Sequence, residues 1–234
     1  SALASELGFI FLQDCVVAVD VLERKLTTLT DIELTYSQLV ISTGVTTDLS
    51  LVEDLKEYAY GFSNLNDLQR IKDFITTIND SIESKNPLVI SGAGPTGVEL
   101  ACKISDLVNN RLEIYLVEKG SKILSKSKSF NRETAIKAIS TRNIKIYLKH
   151  YIKSVKENYL ELQTIDNQWE KSLKINYSNL IWTAGLKLSP SKLVDNFLCE
   201  NNKIKVNKFL QINEYPNIFF IGDITFCESD PFPS

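Results

Sequence analysis

Residues Pro87–Ser105 read PLVISGAGPTGVELACKIS, and this stretch decides the fold. It opens on a short apolar run, Leu88-Val89-Ile90, of the kind that forms a strand buried on both faces. A complete G-x-G-x-x-G follows at once, formed by Gly92, Ala93, Gly94, Pro95, Thr96 and Gly97. Apolar residues then recur at helical spacing, at Leu100, Ile104 and Leu107. A strand, a glycine-rich turn and a helix in this order predict the start of a dinucleotide-binding βαβ unit.

Each glycine of the motif has a mechanical role in such a turn. Gly92 permits the sharp reversal from strand to helix, and Gly94 lets the backbone approach a pyrophosphate. Gly97 lets the helix lie close to the strand. The helix N-terminus offers unpaired N–H groups and the positive end of its dipole to the phosphates. The alternative is a purely structural turn that uses three glycines without a nucleotide.

A second strand, Leu112–Val117, runs into Glu118, which lies 21 residues beyond Gly97. This is the spacing at which a carboxylate binds the ribose hydroxyls of a dinucleotide. Such a carboxylate repels a 2′-phosphate, so we expect NADH to be preferred over NADPH. Lys119 beside it weakens that preference, and a solvated acid at the strand end is the alternative interpretation.

The residues before the motif predict a small β unit and then a helical connection. Strand-like runs are predicted at Gly8–Leu12, Cys15–Leu22, Lys25–Leu29 and Ile32–Thr35, and a buried strand from Leu39 ends in the small residues Ser42, Thr43 and Gly44. Residues 51–86 are expected to connect this unit to the dinucleotide fold. Asn66 is the predicted N-cap of their helix, and Gln69 completes a capping box.

The residues after the motif deliver two further strands that end in small residues. Leu180–Thr183 ends in Ala184-Gly185, which repeats the pattern of the strand from Leu39. Short strands are predicted at Ile204–Val206 and Phe209–Ile212. A last apolar strand, from Ile218, ends in Gly222-Asp223.

The composition is that of an ordinary globular protein and excludes several classes of function. The chain is 44% hydrophobic and 24% charged, with a formal net charge of −3 and no basic stripe, so nucleic acid is not an expected partner. No apolar run reaches the roughly 20 residues of a membrane span, and no signal peptide is visible. Four widely spaced cysteines suit a reducing, cytoplasmic location. A single histidine, His150, without close ligand spacing argues against a metal site.

Five motifs, in this order, resemble the flavoprotein pyridine-nucleotide oxidoreductases that have two dinucleotide-binding domains. They are LVISTG (39–44), GAGPTGVELA (92–101), LVE (116–118), LIWTAG (180–185) and IFFIGD (218–223). The amino-acid sequences of the second and fourth motifs are most similar to those of the type II NADH dehydrogenases. The resemblance implies an α/β fold in which a Rossmann-like NAD-binding domain, residues 87–185, is inserted in an FAD-binding domain, residues 1–50 and 186–234.

The same resemblance implies roles for individual residues. Thr43 and Gly44 would lie beside FAD, and Asp223, after Gly222, would bind its ribityl chain. Glu99 and the Ala184-Gly185 turn would lie near the contact of nicotinamide and flavin, although the helix dipole alone explains an acid at Glu99. The flavin and nicotinamide carry the hydride chemistry, so no catalytic side chain is expected.

The sequence departs from the family pattern where a first G-x-G-x-x-G should hold the FAD pyrophosphate and where a C-terminal domain should follow Asp223. The FAD-binding domain is therefore expected to be incomplete and the chain a fragment. FAD is expected in the full-length parent, with a quinone among the candidate acceptors. Peripheral membrane contact would come only through regions outside this chain. Two functions remain open: an FAD-dependent NADH dehydrogenase and a non-catalytic NAD-binding sensor.

Overall fold

The computed structural model describes residues 2–80, 86–166, 172–188, 197, 199–200 and 203–227. The chain divides into two compact units. The first consists of residues 1–46 and 187–234, and the second of residues 47–186. The second unit is therefore inserted in the sequence of the first. Which dinucleotide each unit binds remains a prediction at this point.

The described residues form the following helices and strands. The helices are α1 (Ala2–Leu7), α2 (Leu55–Tyr58), α3 (Leu65–Asp80), α4 (Pro95–Leu107) and α5 (Ser129–Ser140). The strands in the first half are β1 (Val16–Asp20), β2 (Lys25–Thr28), β3 (Glu33–Thr35), β4 (Leu39–Ile41), β5 (Val45–Thr47), β6 (Ala59–Tyr60), β7 (Leu88–Ser91) and β8 (Ile114–Glu118). Those in the second half are β9 (Ile144–Leu148), β10 (His150–Val155), β11 (Tyr159–Thr164), β12 (Leu173–Asn176), β13 (Asn179–Trp182), β14 (Leu186–Leu188), β15 (Cys199–Glu200), β16 (Lys203–Val206), β17 (Ile218–Phe220) and β18 (Thr225–Cys227).

A five-stranded parallel sheet forms the centre of the second unit. Its strand order is β6-β13-β7-β8-β9, and every neighbouring pair is parallel. All carboxyl ends therefore lie at one edge, which is the edge where ligands bind in open α/β sheets. The predicted α/β fold with a parallel, Rossmann-like sheet is confirmed.

The two faces of this sheet are covered differently. One face packs against α3, α4 and α5, with Leu88, Ile90 and Leu116 fully buried among them. The other face packs against the antiparallel sheet β10-β11-β12, with Val89 and Leu180 buried in that cluster. Because both faces are covered, the strands are continuous apolar runs, as the sequence predicted for β7.

The first unit contains three smaller sheets around its own apolar cluster. Strands β1, β2 and β3 form an antiparallel sheet. Strands β15, β16 and β18 form a mixed sheet, in which β15 is antiparallel and β18 parallel to β16, and β4 pairs in parallel with β17. Ile41, Ile204, Ile218 and Phe220 are buried in the shared cluster. The strands predicted from Leu39 and from Ile218 are therefore neighbours.

Three local predictions were wrong. Gly8–Leu12 forms no strand, and Ile10 is 96% exposed, because no neighbouring strand is present for this apolar run to pair with among the described residues. Phe209–Ile212 also forms no strand, since Leu210 lies in a turn at φ +63°. Helix α3 begins before Asn66. Its cap is Asn64, whose Oδ1 accepts a hydrogen bond from the Asp67 N–H at 2.9 Å, and whose Nδ2 donates to the Asp67 carboxylate at 2.9 Å.

Residues 51–86 are more than the predicted connection. They supply β6 to the edge of the central sheet, and α3 packs Ile71 and Ile78 into the helical face of the core. The apolar spacing also predicts that this helix runs to about Ser84, a position that lies outside the described residues.

Candidate dinucleotide site

The glycine-rich turn joins β7 to α4 at the carboxyl edge of the sheet. Gly92 lies at φ +101°, and its N–H donates to the Val117 carbonyl at 2.8 Å. A Cβ at this position would lie 2.9 Å from Thr183 Oγ1 and 3.0 Å from the Ala184 nitrogen. Both the left-handed backbone and the close neighbours therefore require glycine here.

Thr183 holds the turn from the neighbouring strand end, a role that sequence analysis missed. Its hydroxyl donates to the Ser91 carbonyl at 2.8 Å and to the Gly92 carbonyl at 3.2 Å. Gly97 packs against the same corner, since a Cβ there would collide with the Gly92 carbonyl oxygen. The predicted close approach of helix and strand at Gly97 is thus visible in the structure.

Gly94 is the N-cap of α4 and faces open space. Among the described residues, no atom lies within 4 Å of a Cβ built on it, and Pro95 occupies the first helical position. The N–H groups of Thr96 and Gly97, in the first turn, have no acceptor within the helix. This end of a 13-residue helix presents N–H groups and a positive dipole end to an exposed surface, which is the arrangement that binds a phosphate.

Glu118 stands at the carboxyl end of β8 and is half-buried. Its Oε2 accepts the Ala93 N–H at 2.8 Å, and its Oε1 accepts the Gly120 N–H at 2.6 Å. The carboxylate thus ties the glycine-rich turn to the turn after β8, and it is not simply a solvated acid. Each oxygen keeps a further lone pair, so the group can still accept hydrogen bonds from ribose hydroxyls.

A cavity of about 450 Å³ opens beside Glu118 at this edge. It brings together four of the predicted site residues, namely Gly92, Glu118, Ala184 and Gly185. Its wall also contains Lys119, His150, Lys153 and Trp182, which sequence analysis did not assign to the site. No sequence signal marked them, because they come from three segments that are far apart in the chain: the end of β8, strand β10 and the end of β13.

Trp182 lines this cavity and is 5% exposed. Its Nε1 is buried and has no hydrogen-bond partner among the described residues, which is unusual because buried polar groups are normally paired. The described part of the second unit therefore fits a dinucleotide at its glycine-rich turn, its acid and its cavity.

Glu99 lies apart from this cavity. It is exposed on α4 and lines a second cavity of about 490 Å³, together with Val98, Cys102 and Phe130. Burial raises the pKa of the Cys102 thiol, which keeps it protonated and unreactive. The predicted place of Glu99 near the nicotinamide, together with the Ala184-Gly185 turn, remains a prediction.

Comparison with known proteins decides the family. Residues 4–232 match the family described as pyridine nucleotide-disulphide oxidoreductase. The chain belongs to this family. The resemblance seen in the sequence motifs is thereby confirmed.

Relatives within the pyridine nucleotide-disulphide oxidoreductases include two named quinone reductases. Demethylphylloquinone reductase NdbB from Synechocystis sp. is 31% identical over 229 residues, which cover 94% of this chain and 55% of the relative. The alternative NAD(P)H-ubiquinone oxidoreductase C1 of Arabidopsis thaliana is 28% identical, with 82% of this chain and 40% of the relative covered.

A solved structure shares the fold. NDH2 from Plasmodium falciparum, in complex with NADH, superposes with a TM-score of 0.79 at 22% identity, covering 93% of this chain and 50% of that one. The chain thus spans about half the length of the family members that it matches.

The turns that follow β4 and β17 are the candidate site for the flavin expected of this family. The parallel pairing of β4 with β17 brings Thr43-Gly44 and Gly222-Asp223 to the same sheet edge, and the Ile221 N–H donates to the Ile41 carbonyl at 3.1 Å. Gly44 and Gly222 have positive φ values, and no atom of the described residues lies within 4 Å of a Cβ built on either. Open backbone turns with an exposed Asp223 fit the ribityl part of FAD. The sequence has no second G-x-G-x-x-G for its pyrophosphate.

The described residues were also compared with what a membrane span and a metal site require. Among the described helices, none is long and apolar enough to cross a membrane. Within the part of the chain that the structure describes, no group of three or more His, Cys, Asp or Glu side chains could hold a metal ion.

Proposed function

We propose that this chain is the nucleotide-binding part of a flavoprotein NADH dehydrogenase, which passes a hydride from NADH to FAD and electrons on to a quinone. The observation that carries the proposal is the arrangement at the carboxyl edge of the second unit. There the Glu118 carboxylate accepts the Ala93 N–H of the turn that leads into α4, and it lines the cavity together with Gly92.

The residues of the second unit bind and orient the nucleotide in this proposal. The first-turn N–H groups of α4 hold the pyrophosphate, and Glu118 accepts hydrogen bonds from the adenosine ribose. The Ala184-Gly185 turn, and Glu99 by family resemblance, lie toward the nicotinamide. In the first unit, Thr43, Gly44, Gly222 and Asp223 hold the flavin and ribityl part of FAD. Bound FAD supplies the hydride acceptor, so the protein contributes position and electrostatics rather than a nucleophile.

A quinone is the acceptor that the relatives favour. One relative is named a demethylphylloquinone reductase and the other an NAD(P)H-ubiquinone oxidoreductase. A cytoplasmic location, suggested by four widely spaced cysteines, is part of the proposal, although the Arabidopsis relative is named as chloroplastic/mitochondrial. NADH is the proposed donor, since Glu118 disfavours a 2′-phosphate.

The test uses the full-length parent protein. It is expected to purify as a yellow flavoprotein whose absorbance bleaches on addition of NADH in the absence of oxygen. A water-soluble quinone added afterwards should restore the flavin band, whereas buffer alone should not. A parent protein without flavin would contradict the proposal.

A non-catalytic NAD sensor is the second candidate. The missing first glycine motif favours it, because a chain without a flavin can bind NAD but cannot pass on its hydride. The complete gene discriminates the two functions. An upstream G-x-G-x-x-G would support the enzyme, and its absence would support the sensor.

The 234-residue chain alone is expected to carry far less than one equivalent of FAD. The only glycine-rich phosphate loop of the sequence is Gly92–Gly97, which Glu118 assigns to the nicotinamide nucleotide. The turns at Thr43-Gly44 and Gly222-Asp223 would leave two phosphate charges without partners, and such charges are costly to remove from water. The measurement is the flavin absorbance that remains after the chain is incubated with excess FAD and gel-filtered. A stoichiometric flavin band would contradict the prediction.

A further inference from the structure

The carboxyl edge of the central sheet presents three side-by-side positions to a dinucleotide. Gly92 follows β7, Glu118 ends β8, and His150 lies two residues beyond the end of β9. Strands β8 and β9 are neighbours, with Glu118 directly opposite Leu148. A nucleotide with its pyrophosphate at α4 and its ribose at Glu118 therefore extends its base toward β9, where His150 lines the 450 Å³ cavity.

The hydrogen bond made by the His150 ring fixes which of its nitrogens is left as an acceptor. Nδ1 lies 2.6 Å from the Leu148 carbonyl oxygen, and a carbonyl oxygen can only accept, so Nδ1 carries the proton. In the neutral ring Nε2 is then an acceptor. The ring also packs edge-on against Tyr147, at 5.9 Å between centroids and 78° between planes. Both contacts hold the imidazole in one orientation, and no hydrogen bond within the described residues engages Nε2.

We propose that His150 recognises the adenine base at this site, with Nε2 accepting a hydrogen bond from the 6-amino group of the base. This inference rests on the proposed binding of NADH in the second unit. It gives the single histidine of the chain a role in recognising the nucleotide rather than in the hydride transfer.

The other polar groups of the cavity are less suited to this task. Lys119 and Lys153 only donate hydrogen bonds, so they cannot accept one from an amino group. The Glu118 carboxylate is held by the Ala93 and Gly120 N–H groups and lies at the ribose position. Ser91 and Tyr151 also line the cavity, but their hydroxyls can either donate or accept a hydrogen bond. The His150 tautomer offers Nε2 as an acceptor only, at a place beyond the ribose.

The proposal predicts discrimination between adenine and hypoxanthine. Hypoxanthine carries an oxygen where adenine carries its amino group, so two lone pairs would face each other at His150. One neutral hydrogen bond corresponds to a difference of about three- to tenfold in affinity. We therefore expect the chain to bind NADH about three- to tenfold more tightly than reduced nicotinamide hypoxanthine dinucleotide.

The experiment measures both dissociation constants by calorimetry in the same buffer. His150→Phe keeps a ring against Tyr147 but removes the acceptor, and it should bring the ratio of the two affinities close to one. His150→Gln offers an amide oxygen and should retain part of the ratio. Lys153→Gln, in the same cavity, should lower both affinities together and leave the ratio unchanged.

Equal affinities of the unmutated chain for the two nucleotides would overturn the inference while leaving the proposed function standing. A ratio that persists in His150→Phe would overturn it as well. If the unmutated chain binds neither nucleotide, the proposed NADH site and this inference both fail. Because the unmutated ratio is informative alone, a variant that does not fold leaves the test decisive.

Discussion

Gly97→Ala is expected to abolish NADH binding and to destabilise the second unit by about 2–4 kcal/mol. The new methyl group would collide with the Gly92 carbonyl oxygen and approach Thr183 Oγ1 at 2.9 Å. Neither neighbour can retreat freely. Gly92 belongs to the backbone of the turn, and the Thr183 hydroxyl is hydrogen-bonded to the carbonyls of Ser91 and Gly92. Helix α4 must therefore move away from the sheet, and its N-terminus moves with it.

The matched control is Gly94→Ala, three residues earlier in the same motif. A Cβ at Gly94 meets no atom within 4 Å, and the backbone there, at φ −72° and ψ −175°, is accessible to alanine. The free energy of unfolding should change by less than about 0.5 kcal/mol. NADH affinity should nevertheless fall by about tenfold or more, because the methyl group occupies the space that a pyrophosphate needs.

Thermal or urea unfolding together with calorimetric titration separates the two variants. Gly97→Ala should lose both stability and binding, whereas Gly94→Ala should lose binding alone. Unchanged NADH affinity in Gly94→Ala would show that no phosphate lies against this turn. Unchanged stability in Gly97→Ala would show that the contact of α4 with the turn is looser than the structure indicates.

Glu118→Ala is expected to lower NADH affinity about 10- to 100-fold and to narrow the preference for NADH over NADPH. The range corresponds to the about 1.5–3 kcal/mol of hydrogen bonds made to a charged group. The affinity for NADPH should fall less than that for NADH, because the 2′-phosphate no longer faces a carboxylate and has Lys119 nearby. Stability should fall too, since the Ala93 and Gly120 N–H groups lose their acceptor.

Glu99→Ala is the control for the loss of one negative charge from the second unit. It removes an exposed carboxylate from the same unit but from the wall of the other cavity. The ratio of NADH to NADPH affinity should therefore stay as in the unmutated chain. Titration of both nucleotides against the three proteins is sufficient. Equal affinities in the unmutated chain, or an equal narrowing in both variants, would contradict a specific role for Glu118.

The double role of Glu118 explains why its position in the sequence was so informative. The spacing after Gly97 predicted an acid for a ribose, and the structure shows that the same carboxylate also holds the turn. A side chain that links two backbone segments across the carboxyl edge must stand at the end of the adjacent strand. Its distance along the chain is therefore fixed by the length of α4 and the loop that follows.

The sequence alone was sufficient where the cause of a structure is local. The glycine motif, the apolar run of β7 and the spacing of α4 were recognisable because steric and periodic constraints act within a few residues. The same constraints identified the small-residue ends of the strands at Thr43-Gly44 and at Ala184-Gly185. The N-cap of α3 was predicted at Asn66, two residues after the observed cap Asn64, because both residues are asparagines and asparagine is a favoured N-cap.

Only the tertiary structure decided which strand ends meet. Sequence analysis had no means of placing Thr183 beneath Gly92, or His150 beyond Glu118, because these neighbours come from strands far apart in the chain and meet only through the sheet order. It also could not foresee that Ile10 is exposed, since an apolar run becomes a strand only where another strand pairs with it. The sequence by itself determined the glycine-rich turn and the family of the chain. Long-range strand pairing determined the cavity beside the turn and the side chains that line it.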